Sequence, residues 1–242
     1  MDLKIKDVAE LLNVSETTIR RWLSDGKIPA YRINHQYRFS RTEIEAWVMH
    51  QESNSHHGEM PFESSLEATD VTPPSGATRS GGNRQFSLYR AINVGGIYRR
   101  LLGDTKAEIL ASAATLLAKT LGLDAEVLAD LLIDREKLMP TALNNGIAIP
   151  HARDFLLPSH QDVVAVAFPE KPINYGALDG KPVHTLFFLF ASEDTNHLHL
   201  LAKIAHFSSQ KKAHRLLQTH PTKKELLSYV KTWESQIYQV EN

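Results

Sequence analysis

Residues 144–153 read Asn144-Asn145-Gly146-Ile147-Ala148-Ile149-Pro150-His151-Ala152-Arg153. A polar turn feeds an apolar triplet, and the triplet runs straight into Pro-His. Three apolar residues are too few for a helix and suit a short buried strand. Pro150 lacks an N–H and has a fixed φ, so pairing is expected to halt there and leave the His151 imidazole at the strand's end. Arg153, two residues on, would place a cation beside anything that imidazole acquires. Spacing alone leaves two readings open for His151, a functional group or a polar loop residue.

The flanking sequence supplies more strands and several helices. Asp162-Val163-Val164-Ala165-Val166-Ala167-Phe168 and Val183 to Ala191 are mostly apolar runs bounded by Pro or polar residues, the pattern of strands buried in a sheet. Ile97 to Leu102 reads as another strand. Asp104 is expected to cap a helix to about Leu121, and a second helix carries Val127, Leu128, Leu131 and Leu132. Further helices are expected over Thr195–Phe207, Ser209–Thr219 and Thr222–Ile237. Strands interleaved with helices make residues 85–242 an α/β domain. Two phosphate cradles are excluded. Gly176-Ala177-Leu178-Asp179-Gly180-Lys181 is one residue short of a P-loop and is followed by Pro182, and no G-x-G-x-x-G occurs.

Upstream, composition changes. Residues 51–84 are rich in Ser, Gly, Thr and Pro, with scattered apolar residues of no period, and read as a flexible linker. His56-His57 within it lacks further ligands at metal spacing. In residues 1–50, Ile5, Val8, Ala9 and Leu12 form one apolar helix face. Ser15 is an N-cap for a second helix with Ile19, Trp22 and Leu23 inward, and Gly26 ends it in the left-handed region. Ile28 to Ile33 and Tyr37-Arg38-Phe39 flank the polar tip Asn34-His35-Gln36 as a hairpin, or wing. Ser40-Arg41-Thr42-Glu43 is a capping box opening a third helix with Ile44, Trp47 and Val48 inward. The region is therefore a small α+β winged helix-turn-helix, whose second helix has the shape to enter a major groove. Its basic groups cluster: Arg20, Arg21, Lys27, Arg32 and Arg38 face only Asp25 between Thr17 and Arg38. Thr17, Thr18, Arg20 and Arg21 on the second helix are candidates for base and backbone contacts, and Lys27, Arg32 and Arg38 for phosphates.

The whole chain has 242 residues, 42% hydrophobic and 23% charged, with 27 Lys+Arg against 28 Asp+Glu and a formal net charge of -1. That balance excludes a generally basic nucleic-acid coat but not a local basic patch. There is no cysteine, which removes disulfides, thiolate metal sites and cysteine nucleophiles. No apolar run approaches a membrane span, and the first residues lack a signal-peptide core, so a cytoplasmic protein with no membrane partner is expected.

Residues 1–50 resemble the excisionase/MerR-like winged helix-turn-helix family. The resemblance rests on Lys6-Asp7-Val8-Ala9-Glu10-Leu11-Leu12-Asn13-Val14-Ser15, Thr18-Ile19-Arg20-Arg21-Trp22, Gly26-Lys27-Ile28-Pro29 and Tyr37-Arg38-Phe39. It implies recognition of double-stranded DNA, usually by a dimer, so a homodimer is expected. Residues 86–240 resemble the enzyme IIA domain of the fructose/mannitol and nitrogen-regulatory type, from the bacterial phosphoenolpyruvate phosphotransferase system (PTS). Here the matching residues are Arg135-Glu136, Gly146-Ile147-Ala148-Ile149-Pro150-His151, Pro172-Ile173, Ala177-Leu178-Asp179-Gly180-Lys181-Pro182-Val183 and the stretch from His197 to Ala205. This resemblance implies a mixed sheet with helices on both faces and His151 as a phosphoryl acceptor, with Arg135 and His197 lining its site. The phosphocarrier protein HPr or its nitrogen-branch relative is the implied donor. The chain departs from the family in the loop Thr141-Ala142-Leu143-Asn144-Asn145-Gly146, where Thr-Gly-x-Gly-Asn-Gly is usual, and at Pro140, where a small residue is common.

A neutral imidazole attacks phosphorus near pH 7, and Arg135, Arg153 and His197 are of types that stabilise the transferring charge. No cofactor or metal is expected. His199 sits two positions from His197 on another helix face, so an H-x-H metal pair is not expected. His160, His184, His206, His214 and His220 read as surface or core fillers. The combined expectation is a cytosolic transcription regulator with a phosphohistidine sensor, a phosphotransfer protein rather than a turnover enzyme. Its rivals are a phosphotransfer component passing phosphate to a separate IIB protein, and a regulator acting only by protein contact. A 34-residue Gly/Ser-rich linker spans roughly 30–35 Å as a coil and cannot transmit a hinge angle. Any effect of phosphorylation on DNA affinity is therefore expected to run through oligomerisation or a partner.

Overall fold

The computed structural model describes residues 2–12, 14–50, 85–152 and 161–239. The linker with His56-His57, Arg153 and His160 lie outside the described residues.

In the N-terminal region, strand β1 (Asp2–Leu3) leads into helices α1 (Ile5–Leu12) and α2 (Glu16–Ser24). Ser15 caps α2 by accepting from Thr18 N at 3.0 Å, and Gly26 leaves the helix with φ +65°. Strands β2 (Tyr31–Ile33) and β3 (Gln36–Ser40) follow, then helix α3 (Arg41–His50). The hairpin tip is two residues, not three. Asn34 and His35 both sit at positive φ (48° and 64°), and Gln36 already pairs with Ile33. β1 adds a third strand by pairing Asp2 with Ser40 and Leu3 with Phe39. Val8, Leu12, Ile19, Trp22, Phe39 and Ile44 form the buried centre.

The C-terminal region is an α/β domain. Helix α4 (Ser87–Gly95) precedes β4 (Ile97–Leu101), α5 (Lys106–Leu121), α6 (Ala125–Leu138) and the two-residue strand β5 (Ile147–Ala148). Then come β6 (Val163–Pro169), β7 (Thr185–Phe190) and helices α7 (Asp194–Ser209), α8 (Lys211–Gln218) and α9 (Lys223–Gln239). The sheet order is β4-β6-β7-β5, with β6 and β7 antiparallel and both outer pairs parallel. Alternate residues of the central strands serve opposite layers. Val164, Val166, Phe187 and Leu189 pack with α4, α7, α8 and α9, while Val163, Ala165, Leu186 and Phe188 pack with α5 and α6. Both faces are covered, which explains why these strands read as unbroken apolar runs. At Gly95 the approach of α4 to the sheet is so close that a Cβ would stand 2.3 Å from Val164 O.

Two local expectations change. The cap of α5 is Thr105 rather than Asp104: Thr105 Oγ1 accepts from Glu108 N, and the Glu108 carboxylate accepts from the backbone N–H groups of both Asp104 and Thr105. Helix α4 was not expected at all. Its first N–H groups are satisfied from a distance, because the Glu234 carboxylate of α9 accepts from Leu88 N and Tyr89 N. Glu234 is in turn held by Lys203 Nζ of α7 at 2.6 Å, a buried ion pair.

The N-terminal region packs on this domain through α1 and α3 against α7. Helix α7 is buried around most of its circumference, including His197, His199, Lys203 and His206, as a helix lying between two layers must be. Its inner side lies on the sheet, and its outer side is covered by the N-terminal helices in one continuous apolar cluster.

Candidate functional site

β5 runs parallel to β7 with Ile147 opposite Thr185 and Ala148 opposite Leu186, and the same offset returns at His151 opposite Leu189. Pro150 interrupts the ladder by lacking an N–H, but its carbonyl still accepts from Leu189 N at 3.0 Å. The pairing that the sequence was expected to end at Pro150 therefore resumes, and His151 is held in line with the sheet. Its ring is 1% exposed.

Both ring nitrogens of His151 are engaged. Nδ1 is 2.7 Å from Ile149 O, and since a carbonyl only accepts, Nδ1 carries the proton. Nε2 is then the lone-pair nitrogen, and Arg135 Nε donates to it at 3.1 Å. Arg135 comes from the last turn of α6, is itself buried, and is fixed by a second bond from Nη1 to Met139 O. Its neighbour Glu136 ties the same turn to the following loop, accepting from Thr141 N, Thr141 Oγ1 and Lys106 Nζ. The Arg135-Glu136 pair thus divides its work, one side chain to the imidazole and the other to the loop that precedes β5.

That loop turns with one left-handed asparagine and one glycine. Asn145 takes the left-handed conformation (φ +63°) and Gly146 follows at +76°, while Ala142 needs no positive φ and bridges to Ala148. Asn145 is anchored by three groups: Asp179 Oδ2 accepts from its N–H, Lys181 Nζ donates to its side-chain oxygen, and His214 Nε2 donates to its carbonyl. A side chain at Gly146 would collide with His184 Cδ2 at 2.6 Å.

His197, from the first turns of α7, meets His151 edge-on with ring centroids 5.0 Å apart. Its Nε2 is buried without a hydrogen-bond partner, and Glu45 Oε1 stands 3.7 Å away. Glu45 is a residue of α3, in the N-terminal region, and is only 7% exposed. It is bound by Arg41 Nε at 3.1 Å, and Arg41 also bridges to Asp194 at the start of α7. Burial is the largest influence on both imidazoles. His151 is held well below the ordinary histidine range by desolvation, then by His197 and Arg135. His197 is lowered to about 3 by desolvation, then by Arg41 and Arg135. Both rings are neutral at pH 7, so the approach of His197 to Glu45 is not an ion pair.

One ring nitrogen of each histidine and a Glu45 carboxylate oxygen lie within 4.8 Å of one another, a donor set that would suit a metal ion by type. The surroundings oppose a cation. Arg135 occupies the His151 lone pair, and the Arg41 and Arg135 guanidiniums both raise the local potential. These two guanidiniums favour an anionic group there, and the Glu45 carboxylate is one. Neither Arg41 nor Glu45 was singled out as a site residue in the sequence, where Arg41 read only as part of the capping box of a third helix.

The seven candidate DNA residues lie on α2, on the turn after it, or on the hairpin. Thr17, Arg20, Arg21, Lys27 and Arg32 are exposed, with Arg20 beside Glu16 and Lys27 beside Asp25, each at 3.4 Å. Thr18 and Arg38 are half-buried: Thr18 Oγ1 bonds Ser15 Oγ in the cap, and Arg38 bonds Gln36 Oε1 and Tyr37 O. The Arg32 guanidinium lies 4.8 Å over the Tyr37 ring.

Residues 92–233 match the family model described as phosphoenolpyruvate-dependent sugar phosphotransferase system, EIIA 2, and residues 3–52 match a helix-turn-helix domain model. A nitrogen regulatory protein of Pseudomonas aeruginosa is 37% identical over 131 residues, covering 53% of this chain and 84% of that protein. Over 48 residues, the chain is 50% identical to the transcriptional repressor DcmR of Methylorubrum extorquens, covering 19% of this chain and 18% of that one. The crystal structure of nitrogen regulatory protein IIA-Ntr from Neisseria meningitidis superposes with a TM-score of 0.51 at 29% identity, covering 57% of this chain and 93% of that one. No helix among the described residues is long and apolar enough to cross a membrane.

Proposed function

We propose that this chain, a member of the phosphoenolpyruvate-dependent sugar phosphotransferase system EIIA 2 family, accepts a phosphoryl group on His151 Nε2 and binds DNA through its helix-turn-helix region. The observation that carries the first half is the tautomer of His151. Nδ1–H bonds Ile149 O, so the neutral ring carries its lone pair at Nε2, where Arg135 Nε donates at 3.1 Å; for transfer that guanidinium turns from the ring nitrogen to the incoming phosphoryl oxygens. In the transfer, the N–P bond of a phosphohistidine carrier breaks as the bond to Nε2 forms. The carrier's ring, protonated on its other nitrogen, leaves as a neutral imidazole, and His151, keeping its Nδ1 proton on Ile149 O, becomes a phosphorylated imidazolium. Phosphoryl transfer needs positioning and charge stabilisation more than covalent help. Arg135 provides the charge, and the unpartnered Nε2 of His197 is the group that a phosphoryl oxygen would satisfy. Arg153 is proposed as a further cation from its spacing alone.

The donor is proposed to be HPr or its nitrogen-branch relative. The likeness to nitrogen regulatory proteins supports a role in nitrogen regulation; that this role is exerted in the cytoplasm, on transcription and by a homodimer is part of the proposal. Incubation with phosphoenolpyruvate, enzyme I and a phosphocarrier should give acid-labile, base-stable phosphate on the wild type and none on His151→Ala. Arg135→Ala should fold and label about 10²-fold more slowly, the cost of losing one charge-stabilising donor. Full labelling of His151→Ala would end the assignment.

A further inference from the structure

We propose that the N-terminal region is a cover for the phosphoacceptor, that the Glu45 carboxylate occupies the seat of the phosphoryl group, and that phosphorylation of His151 releases the DNA-binding region from α7. This rests on His151 being the acceptor. Three observations carry it. First, Glu45 is the only carboxylate of the three-residue cluster with His151 and His197, and its oxygen lies within 4.8 Å of a ring nitrogen of each. A phosphoryl group, a phosphorus with three oxygens, needs that space. Second, Glu45 is buried and its carboxylate is held in place by Arg41 Nε at 3.1 Å, so an acidic group already stands beside the two imidazoles. Third, His151 is 1% exposed and His197 3% exposed while Glu45 of α3 lies beside both, so a protein donor reaches the ring only after the pocket opens, and the proposal places that opening at α3.

Docking and phosphorylation are therefore mutually exclusive. The docked state keeps Glu45 against two neutral imidazoles, held there by Arg41 rather than by a hydrogen bond to His197. After transfer, about two negative charges sit where one carboxylate was, and Glu45 and phosphate repel each other in a pocket of low dielectric. Arg135 keeps the phosphate, and Arg41 leaves with α3. The exposed state of Thr17, Arg20, Arg21, Lys27 and Arg32 in the docked chain sets the consequence. Release does not uncover the reading face. It frees that face from a fixed orientation on the C-terminal domain, which alters the spacing at which two reading heads of a dimer can be presented. The route is a contact through space and owes nothing to residues 51–84, so the signal need not pass along the linker.

The test uses the full chain, whose lack of cysteine allows two labels to be placed at will. Ser24→Cys and Gln218→Cys, both exposed, carry a fluorescent donor–acceptor pair, and the pair is also built into an Asp194→Arg chain, in which like charge meets Arg41 across the interface. Phosphoenolpyruvate, enzyme I and a phosphocarrier are added, and energy transfer and phosphate on His151 are followed together. In the wild type, energy transfer should fall in step with phosphorylation, and His151→Ala should show no change. Asp194→Arg should start with the lower transfer and label at least ~10-fold faster. Phosphate on His151 with unchanged energy transfer overturns the proposal and leaves the acceptor assignment standing. So do equal labelling rates in wild type and Asp194→Arg. No label on either chain overturns the acceptor assignment, and this proposal with it.

Discussion

Acid should destabilise this protein through His197, and the size of the effect follows from its burial. The ring is neutral in the folded chain because desolvation, Arg41 and Arg135 lower it to about 3, whereas in the unfolded chain it titrates near 6.5. Between those two values the unfolded chain binds a proton that the folded chain refuses. The stabilisation is whole above pH 6.5 and is lost progressively as pH falls toward 3. One pH unit inside the window is worth 1.36 kcal/mol, so moving to pH 5 costs roughly 2 kcal/mol from this residue. His151 shifts in the same direction and adds to the loss. The perturbation is His197→Gln, which keeps a polar group of similar reach and cannot titrate. Urea unfolding followed by far-UV circular dichroism at pH 7.5 and pH 5.0 gives the stability loss for each chain. Contributions from carboxylates elsewhere are common to both and cancel in the comparison. The wild type should lose ~2 kcal/mol more than His197→Gln. Equal losses would refute the reasoning, because they would mean that Glu45 at 3.7 Å stabilises a protonated His197 after all.

Two further outcomes follow from packing and charge. Lys203→Met should cost about 3–5 kcal/mol in urea unfolding, since it strands Glu234, 0% exposed, beside the N-terminus of α4; a loss under about 1 kcal/mol would show that Glu234 is satisfied without it. Lys27→Ala and Arg38→Ala should each weaken binding to every duplex sequence and flatten its salt dependence by about one unit of slope, while Arg21→Ala should relax base preference at one position; identical, sequence-independent losses in titrations of all three would show that α2 and the hairpin do not divide the work in this way.

What could be read from the chain was local. The apolar period of Ile5, Val8, Ala9 and Leu12, the Ser15 cap and Gly26 are signals within a few residues of their own partners, and each appears in the structure. The same holds for β6 and β7, whose continuous apolar sequence reports burial on two faces. Helix α4 escaped because its cap is not next to it: Glu234 is 146 residues from Leu88. Strand β1 escaped because two residues carry no period. The site divided in the same way. The motif around His151 and the Arg135-Glu136 pair announced themselves through a family resemblance, and the structure brings Arg135, His151 and His197 together. Arg41 and Glu45 had no such signal, since their spacing explains itself as a helical ion pair and only the packing of α3 on α7 gives them a second purpose.

Helix α7 is where these threads meet, and its sequence shows why. An ordinary surface helix exposes one polar face, but the positions that should be polar here hold His197, His199, Lys203 and His206, all buried. Lys203 is satisfied by Glu234, Ser87 Oγ and Gln85 O, and His199 by Ser87, so the middle of the helix is pinned to α4 and α9. At its first turn Asn196 bonds Asp162 and Ser192 of the same domain, but Asp194 and His197 turn toward the N-terminal region. Asp194 reaches across to Arg41, and His197 Nε2 is left without a hydrogen bond beside Glu45. A buried polar atom left unsatisfied costs free energy, typically about 1–3 kcal/mol, unless the structure has another state in which it is paired. The amino-terminal turn of α7 is thus the soft end of an otherwise fixed helix. There a phosphoryl oxygen would give His197 the partner that the carboxylate at 3.7 Å does not, so the end of the helix that anchors the cover is also the end that gains when the cover leaves.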